Sequence, residues 1–275
     1  MNELAKYSIP ELYNEIHSRY DATIVFKKFK LKIDPRLGGA VYLSHDIYAG
    51  TNDKFYDYLS MRFPATVIID IGANIGLSSL ELNTVYPSAK KIVVEPNAQL
   101  LDLIKLNLDQ NNVTNYIILN NLVGDEKCEV KWQKNEKFSV DSRVSGLIKD
   151  FIYETGQQIT LNDLIENYAN GNDKIFIKID TQGYEERIIN GCLEYLLTNT
   201  NYLIKMEFAP FCLESQNTDA VVFLKNMIKY FDVVELPKMP FKVEPIEKIF
   251  DKKLNSDDVK DFVEYVKCLD REDRG

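Results

Sequence analysis

The chain has 275 residues, a formal net charge of −9 and 45% hydrophobic residues. This length and apolar content suffice for a folded core and argue against disorder. An acidic chain repels nucleic acid unless it carries a local basic patch, so nucleic acid is not an expected partner. No apolar run approaches ~18 residues and the N-terminus lacks a signal-peptide pattern, so we expect a cytoplasmic protein without a membrane span.

The sulfur and imidazole ligands that metals favour are few and scattered. No two cysteines stand at CxxC spacing, and only two histidines could join them. We therefore expect no metal site, and reduced cysteines rather than disulfides. The cysteines are Cys128, Cys192, Cys212 and Cys268, and the histidines are His17 and His45.

Residues 1–64 are predicted to form an N-terminal cap on the substrate side of a cofactor-binding domain at 65–275. Apolar residues at helical spacing predict a helix within 1–20 and another over 53–62. The cap is therefore expected to pack on the cofactor domain rather than to fold by itself.

One stretch of this cap, residues 23–33, alternates apolar and basic residues. Such alternation is typical of an edge strand whose lysines face solvent. The alternation slips by one position at Lys27 and Lys28, which indicates a β-bulge.

From residue 66 onward, strand and helix patterns alternate. This order predicts parallel strands with helices on both faces, that is, a three-layer α/β/α sandwich of the Rossmann-like class. A strand at 231–236 and an antiparallel strand in the tail would complete a mostly parallel seven-stranded sheet. The other strands are expected at 66–71, 91–95, 116–119, 175–179 and 202–208.

The first of these strands leads into a glycine loop and then a helix, an order that presents backbone N–H groups to a ligand. The loop contains Gly72 and Gly76, but Asn74 stands where the dinucleotide fingerprint needs its middle glycine. A pyrophosphate therefore fits the loop poorly. Asp70, at the end of the strand, favours a cationic ligand.

S-adenosylmethionine (SAM) meets these requirements, because it carries an ammonium and a sulfonium group and no phosphate. Glu95 follows the next strand, near the spacing of ~20 residues after the loop at which a carboxylate binds ribose hydroxyls. Asn121, after the third strand, is expected near the adenine from its place in the fold. A nicotinamide-dependent oxidoreductase is the alternative, because NAD proteins share a short glycine loop followed by an acid.

Four segments resemble motifs of the FkbM family of methyltransferases, in the family's order, over about 65–210. The resemblance implies a class I methyltransferase fold, SAM as donor with Pro96 beside Glu95 in the second motif, and usually an acceptor hydroxyl on a sugar or natural product. A family member that binds SAM without turnover is the remaining alternative. The segments are DIGANIG at 70–76, VEPN at 94–97, TLNDL at 160–164, where the usual first Asp is Asn162, and IKIDTQGYE at 177–185.

Transfer of a methyl group to a hydroxyl requires a group that accepts the hydroxyl proton. The first candidate is Asp180, which ends the fourth strand at the edge where such sheets bind ligands. Further candidates are Glu185 in the next helix, Glu207 after the fifth strand and His45 in the N-terminal segment. Glu185 is equally well explained as an acid at a helix N-terminus. A lone histidine in a tyrosine-rich loop, as His45 is, is more often a packed side chain than a base.

The last motif also contains residues whose types predict structural roles. Lys178 lies in an otherwise apolar strand, so we expect it to form an ion pair. Gly183 is expected to allow a turn that a side chain would block.

The Asn/Asp-Pro-Pro-Tyr/Phe motif of base-directed N-methyltransferases does not follow this strand, which argues against nucleic-acid methylation.

Overall fold

The computed structural model describes residues 22–26, 28–34, 52–135, 151–236 and 253–272. The predicted helix within 1–20 and His45 lie outside these residues. Among the described helices, none is long and apolar enough to cross a membrane.

The described strands and helices follow the alternation that the sequence predicts. The strands are β1 (Ala22–Phe26), β2 (Phe29–Ile33), β3 (Val67–Ile71), β4 (Lys90–Val94), β5 (Tyr116–Leu119), β6 (Leu122–Gly124), β7 (Cys128–Asn135), β8 (Phe151–Thr160), β9 (Ile175–Ile179) and β10 (Tyr202–Met206). The helices are α1 (Asn52–Arg62), α2 (Leu77–Val85), α3 (Ala98–Gln110), α4 (Leu161–Tyr168), α5 (Glu185–Asn190), α6 (Leu193–Thr198), α7 (Pro210–Ser215), α8 (Ala220–Tyr230) and α9 (Val259–Glu272).

The central sheet contains five parallel strands in the order β10-β9-β3-β4-β5. All residues of β3 and β9 are buried, which explains their nearly unbroken β-branched sequences. The chain crosses to opposite sides of β3 in its two halves, so β3 lies at the topological switch point. Ligands of such sheets bind at the carboxyl ends of the strands there.

Alternate strand residues divide the apolar core between the two faces of the sheet. On one face, Ile69 and Ile177 belong to a cluster with residues of α4 to α9. On the other face, Ile68, Phe176 and Val93 belong to clusters with residues of α1, α2, α3 and β2. This arrangement is the predicted three-layer sandwich. The hairpin and α1 of the predicted cap pack on the second face, while the boundary at residue 64 stays a prediction.

The predicted strand count is too high for the described residues. At the strand predicted for 231–236, the described residues contain one antiparallel bridge, between Val234 and Lys253, while residues 237–252 of the tail lie outside the described residues. Phe231 and Val233 pack against the core without a ladder. Pro237 follows directly in the sequence and has no N–H to donate, which disfavours a longer pairing.

The region between β5 and α4, which shows no clear pattern in the sequence, contains a second sheet of order β6-β8-β7. β6 pairs with β8 in parallel and β7 pairs with β8 antiparallel. Val130 and Trp132 alternate with polar residues in β7, and this short pattern is the signal that sequence reasoning missed.

The predicted bulge at Lys27 and Lys28 is wrong. Phe26 pairs with Phe29, so the phase slip is the turn of the β1–β2 hairpin. Two residues that connect antiparallel strands shift the alternation just as a bulge does, so the sequence pattern alone does not separate the two. The buried residues of β2 are Phe29, Leu31 and Ile33, while Lys30 is exposed as expected.

Lys91, in β4, is fully buried, and its Nζ donates to the carbonyl oxygen of Pro87 at 3.0 Å. Burial lowers the pKa of Lys91 from 10.5 to about 8. Between these values the unfolded chain carries the proton and the folded chain does not, so the free energy of unfolding rises with pH. Lys91→Met should remove this rise, which amounts to at most about 1.4 kcal/mol per pH unit, in urea unfolding of both proteins. If the free energy of unfolding changed equally with pH in the two proteins, the lowered pKa assigned to Lys91 would be wrong.

Candidate active site at the carboxyl edge of the sheet

The loop after β3 is held in a conformation that needs its glycines. Gly72 and Gly76 have φ values of +76° and +86°, and Asn74 also has a positive φ of +51°. A Cβ at Gly72 would lie 1.9 Å from the carbonyl oxygen of Asp180, so the loop touches the end of β9 through backbone atoms. No side chain fits at Gly72 without a shift of one of these two segments.

Beneath this loop, Asp70 is fully buried and pairs with Lys178 across β3 and β9. Lys178 Nζ lies 3.3 Å from Asp70 Oδ1, and Ser79 Oγ donates to Asp70 Oδ2 at 2.6 Å. The ion pair expected for Lys178 is therefore confirmed. Asp70 has no exposed surface, and its partners are Lys178 of β9 and Ser79 of α2. Its contact with a cationic ligand stays a prediction.

The ammonium group of Lys178 also reaches two other parts of the edge. Lys178 Nζ donates to the carbonyl oxygen of Gly72 at 2.8 Å and lies 3.5 Å from Asp180 Oδ2. Burial opposes its charge, but Asp180 and Asp70 outweigh this effect and raise the pKa of Lys178. One cation thus links the loop after β3 to the carboxylate after β9.

Glu95, after β4, has a carboxyl group held by two backbone N–H groups. Asn74 N donates to Oε2 at 2.8 Å, and Asn97 N donates to Oε1 at 2.9 Å. Glu95 is 6% exposed, and burial raises its pKa to about 7 despite these hydrogen bonds. Each carboxylate oxygen can accept a further hydrogen bond, as the two hydroxyls of a ribose require.

The neighbours of Glu95 fix the segment that carries it. Asn97 Oδ1 accepts from the N–H of Gln99 and so caps α3, while Asn97 Nδ2 is a buried donor without a hydrogen-bond partner among the described residues. Asn120 Nδ2 donates to the carbonyl oxygen of Pro96 at 2.8 Å. Asn121 Nδ2 donates to the carbonyl oxygen of Gln157 in β8 at 3.2 Å, and its place beside an adenine stays a prediction.

On the other side of the ion pair, Gln182 bridges the acids that follow β9 and β10. Gln182 Nε2 donates to Glu207 Oε2 at 2.9 Å and lies 3.3 Å from Asp180 Oδ1. Cys212 Sγ lies 3.5 Å from Gln182 Oε1, and Gln182 itself has a positive φ of +57°. The amide of Gln182 therefore holds the two predicted acids side by side.

The pKa values of Asp180 and Glu207 are shifted in opposite directions. Burial would raise the pKa of Asp180, but Lys178 and a hydrogen bond from Glu207 lower it. Burial and the neighbouring Asp180 raise the pKa of Glu207 well above its usual range. The side chain of Asp180 is nevertheless 43% exposed and Glu207 is exposed, so the pair can meet a ligand from solvent.

Glu185 is 2% exposed and is the first residue of α5, directly after the turn that precedes the helix. Its Oε1 accepts hydrogen bonds from the N–H and the hydroxyl of Thr181, both at 2.9 Å. Burial raises the pKa of Glu185. The structure therefore gives Glu185 a role in holding the turn, and its catalytic role stays a prediction.

Gly183 occupies the same turn with a φ of +105°. A Cβ there would lie 2.2 Å from the carbonyl oxygen of Cys212, so the predicted need for a glycine is confirmed. His45, the fourth predicted catalytic residue, lies outside the described residues. Within the described ranges, no group of three or more His, Cys, Asp or Glu side chains could hold a metal ion.

Residues 70–236 match the family model described as the methyltransferase FkbM domain. This match covers more than half of the chain. The chain belongs to the FkbM methyltransferase family. Comparison with curated proteins gives no match.

Several solved structures resemble parts of the chain at low identity. An FkbM methyltransferase from Methylobacillus flagellatus KT is 16% identical with a TM-score of 0.42, over 64% of this chain and 41% of its own. A precorrin-6y C5,15-methyltransferase from Geobacter metallireducens GS-15 is 18% identical with a TM-score of 0.37, over 62% and 66%. P. horikoshii TYW2, in complex with MeSAdo, is 20% identical with a TM-score of 0.28, over 44% and 50%.

One charged residue at this edge of the FkbM domain was missed by sequence reasoning. Lys205 in β10 is in register with Lys178 and donates to the hydroxyl of Tyr56 in α1 at 3.0 Å. Burial lowers the pKa of Lys205. The sequence could have identified Lys205, because it is a lone lysine in an apolar strand, as Lys178 is.

Lys178→Met leaves the buried carboxylate of Asp70 without its cation. We expect the free energy of unfolding to fall by about 3–5 kcal/mol, the cost of breaking a buried ion pair, as measured by urea unfolding. The double variant Asp70→Asn/Lys178→Met should regain part of this loss. Lys225→Met, at an exposed position of α8, is the control and should stay within about 0.5 kcal/mol of the unmodified protein. A similar small effect for Lys178→Met would refute the structural role of the pair.

Proposed function

We propose that this FkbM family member is a SAM-dependent O-methyltransferase that acts on a hydroxyl group of a glycan or small metabolite. The observation that carries the proposal is the carboxyl group of Glu95, fixed by two backbone N–H groups at the switch point of the sheet. Family membership supports methyl transfer. The acid pair after β9 and β10 supports an acceptor that must lose a proton.

The residues at the edge fit SAM by their chemistry. Glu95 retains acceptor positions for the ribose hydroxyls, with Pro96 and Asn121 assigned to the adenine side. Gly72 and Gly76 bring backbone close to the ligand, and the loop lacks the middle glycine that a pyrophosphate needs. When bound, SAM would supply an electrophilic methyl group on a sulfonium.

On the acceptor side, Glu207 and Asp180 are assigned to the hydroxyl proton. The ionised carboxylate of Asp180 can accept a hydrogen bond from the acceptor hydroxyl and orient it. Once Glu207 has lost its own proton, the pair can take the proton of the acceptor. A carboxylate with a raised pKa accepts that proton more readily than an ordinary carboxylate does, and the pKa of Glu207 is raised well above its usual range.

The same pair favours uncharged acceptors. Asp180 and Glu207 both reach solvent, whereas Lys178 beside them is 8% exposed and already paired. An acceptor that carries a phosphate or carboxylate would meet like charge there, while a polyhydroxylated acceptor offers hydrogen-bond donors. This charge distribution supports a neutral sugar or metabolite.

Calorimetry with S-adenosylhomocysteine (SAH) tests the donor site. We expect micromolar binding that Glu95→Gln weakens by about 10–100-fold, because hydrogen bonds to a charged carboxylate contribute about 1.5–3 kcal/mol. Ribose hydroxyls favour the ionised form of Glu95, whose pKa is about 7. The affinity should therefore rise by about tenfold from pH ~6 to pH ~8, and Glu95→Gln should lose this pH dependence.

Glu126→Gln, at an exposed position, is the control for this titration and should bind SAH as the unmodified protein does. No SAH binding would refute the donor assignment. If NADH fluorescence then increased on addition of the protein, the nicotinamide-dependent alternative would replace it.

Formation of SAH from SAM in the presence of hydroxylated acceptors tests the acceptor side. Glu207→Gln and Asp180→Asn should each lower the turnover rate by about 100-fold or more with little change in SAH affinity, because each removes a proton acceptor. The rate for the unmodified protein should rise with pH well above 4.5, as Glu207 loses its proton. Unchanged turnover in both variants would exclude the pair as the base. SAH binding without turnover for any acceptor would favour a non-catalytic family member.

A further inference from the structure

Asn107 of α3 and Asn111, the C-cap residue of that helix, pair with the open edge of β2 as a neighbouring strand would. Asn107 Oδ1 accepts from Lys32 N at 2.6 Å, and Asn107 Nδ2 donates to Lys32 O at 3.0 Å. One turn later, Asn111 Oδ1 accepts from Lys30 N at 3.0 Å, and Asn111 Nδ2 donates to Lys30 O at 2.7 Å.

The spacing of the two asparagines explains the match. Side chains four residues apart share one face of a helix, and backbone groups two residues apart face the same side of a strand. Because Lys30 and Lys32 turn their N–H and C=O groups away from β1, the asparagines satisfy an edge that would otherwise be open.

Of the two asparagines, only Asn107 also forms a hydrogen bond with the loop after β3. Its Nδ2 also donates to the carbonyl oxygen of Ile75 at 2.9 Å. Its Oδ1 also accepts from Gln110 Nε2, so the amide group of Asn107 makes four hydrogen bonds in all. Asn107 is fully buried, so each donor and acceptor of its amide is used inside the protein. Asn111 has no such bond to the loop, and its Nδ2 instead donates to the carbonyl oxygen of Asn107 in the same helix.

The apolar side of the hairpin packs against the same loop. Phe29, Leu31 and Ile33 belong to one buried cluster with Ala73 and Ile75. Ile75 lies between Asn74 and Gly76, both of which have positive φ values. The carbonyl oxygen that Asn107 binds therefore lies in the most constrained part of the loop, one residue from the N–H group that donates to Glu95.

We infer that Asn107 is a positioning residue that ties the β1–β2 hairpin to the loop after β3 and thereby makes the hairpin part of the donor site. The hairpin precedes the residues that match the FkbM domain, which begin at residue 70. The inference deepens the proposed function, and its effect on ligand affinity rests on that function. The mechanical link between hairpin and loop does not depend on any ligand.

Asn107→Leu and Asn111→Leu form a matched pair. Each replaces an amide of similar shape and removes two hydrogen bonds to β2, so both should lower the melting temperature. Only Asn107→Leu removes the bond to Ile75 O. In amide hydrogen exchange without ligand, residues 73–77 should exchange faster in Asn107→Leu than in Asn111→Leu. Equal exchange of these residues in the two variants would overturn the inference.

The affinity for SAH separates positioning from stability. Asn107→Leu should bind SAH about tenfold more weakly than Asn111→Leu, since it loses a buried hydrogen bond that fixes the loop. Equal affinities would refute the link to the donor site. Absence of SAH binding to the unmodified protein would instead refute the proposed function. The link between hairpin and loop would then be tested by the amide hydrogen exchange of the two variants alone.

Should Asn107→Leu fail to fold, the unmodified protein provides the test. Coupling between two sites is reciprocal, so SAH should slow exchange at Lys32 N–H more than at Lys30 N–H. Slower exchange of residues 73–77 without this difference would contradict the inference.

Discussion

The buried ion pair between Asp70 and Lys178 is the interaction on which the candidate site depends. Neither charge is stable alone inside an apolar sheet, so each requires the other. Lys178 also binds the carbonyl oxygen of Gly72 and faces Asp180. One ammonium group therefore stabilises both the loop after β3 and the charge of the carboxyl group after β9.

This ion pair explains why a lysine stands in the segment at 177–185 that resembles a motif of FkbM methyltransferases. Lys178 and Asp180 are two residues apart, so the strand directs both to the same side. Gln182 then holds Asp180 beside Glu207, and Gly183 allows the backbone to approach α7. Glu185 closes the turn through Thr181. In this structure, the segment at 177–185 therefore supplies Asp180, one acid of the pair, and also the residues that hold the pair in place.

The sequence was sufficient to predict the central strands in their order along the chain, the glycine loop and the acids at the strand ends, because these follow from local patterns. It was insufficient for Asp70, since an acid at a strand end has the same local sequence whether it faces a ligand or lies beneath a loop. The hairpin turn at Lys28 shifts the alternation as a bulge would, and the pairing of Asn107 with Lys32 joins residues distant in sequence. The β6-β8-β7 sheet was missed because its strands are largely polar.

The structure also relates the two halves of the proposed reaction through their electrostatics. Burial raises the pKa of Glu95 on the donor side and of Glu207 on the acceptor side, and the positive charge of Lys178 lowers both. The ribose binding that we propose for Glu95 and the proton acceptance that we propose for Glu207 each use the ionised carboxylate. Lys178 therefore favours the active charge state on both sides at once. A single buried cation that supports two carboxylates in this way explains why an otherwise apolar strand contains a lysine next to its functional end.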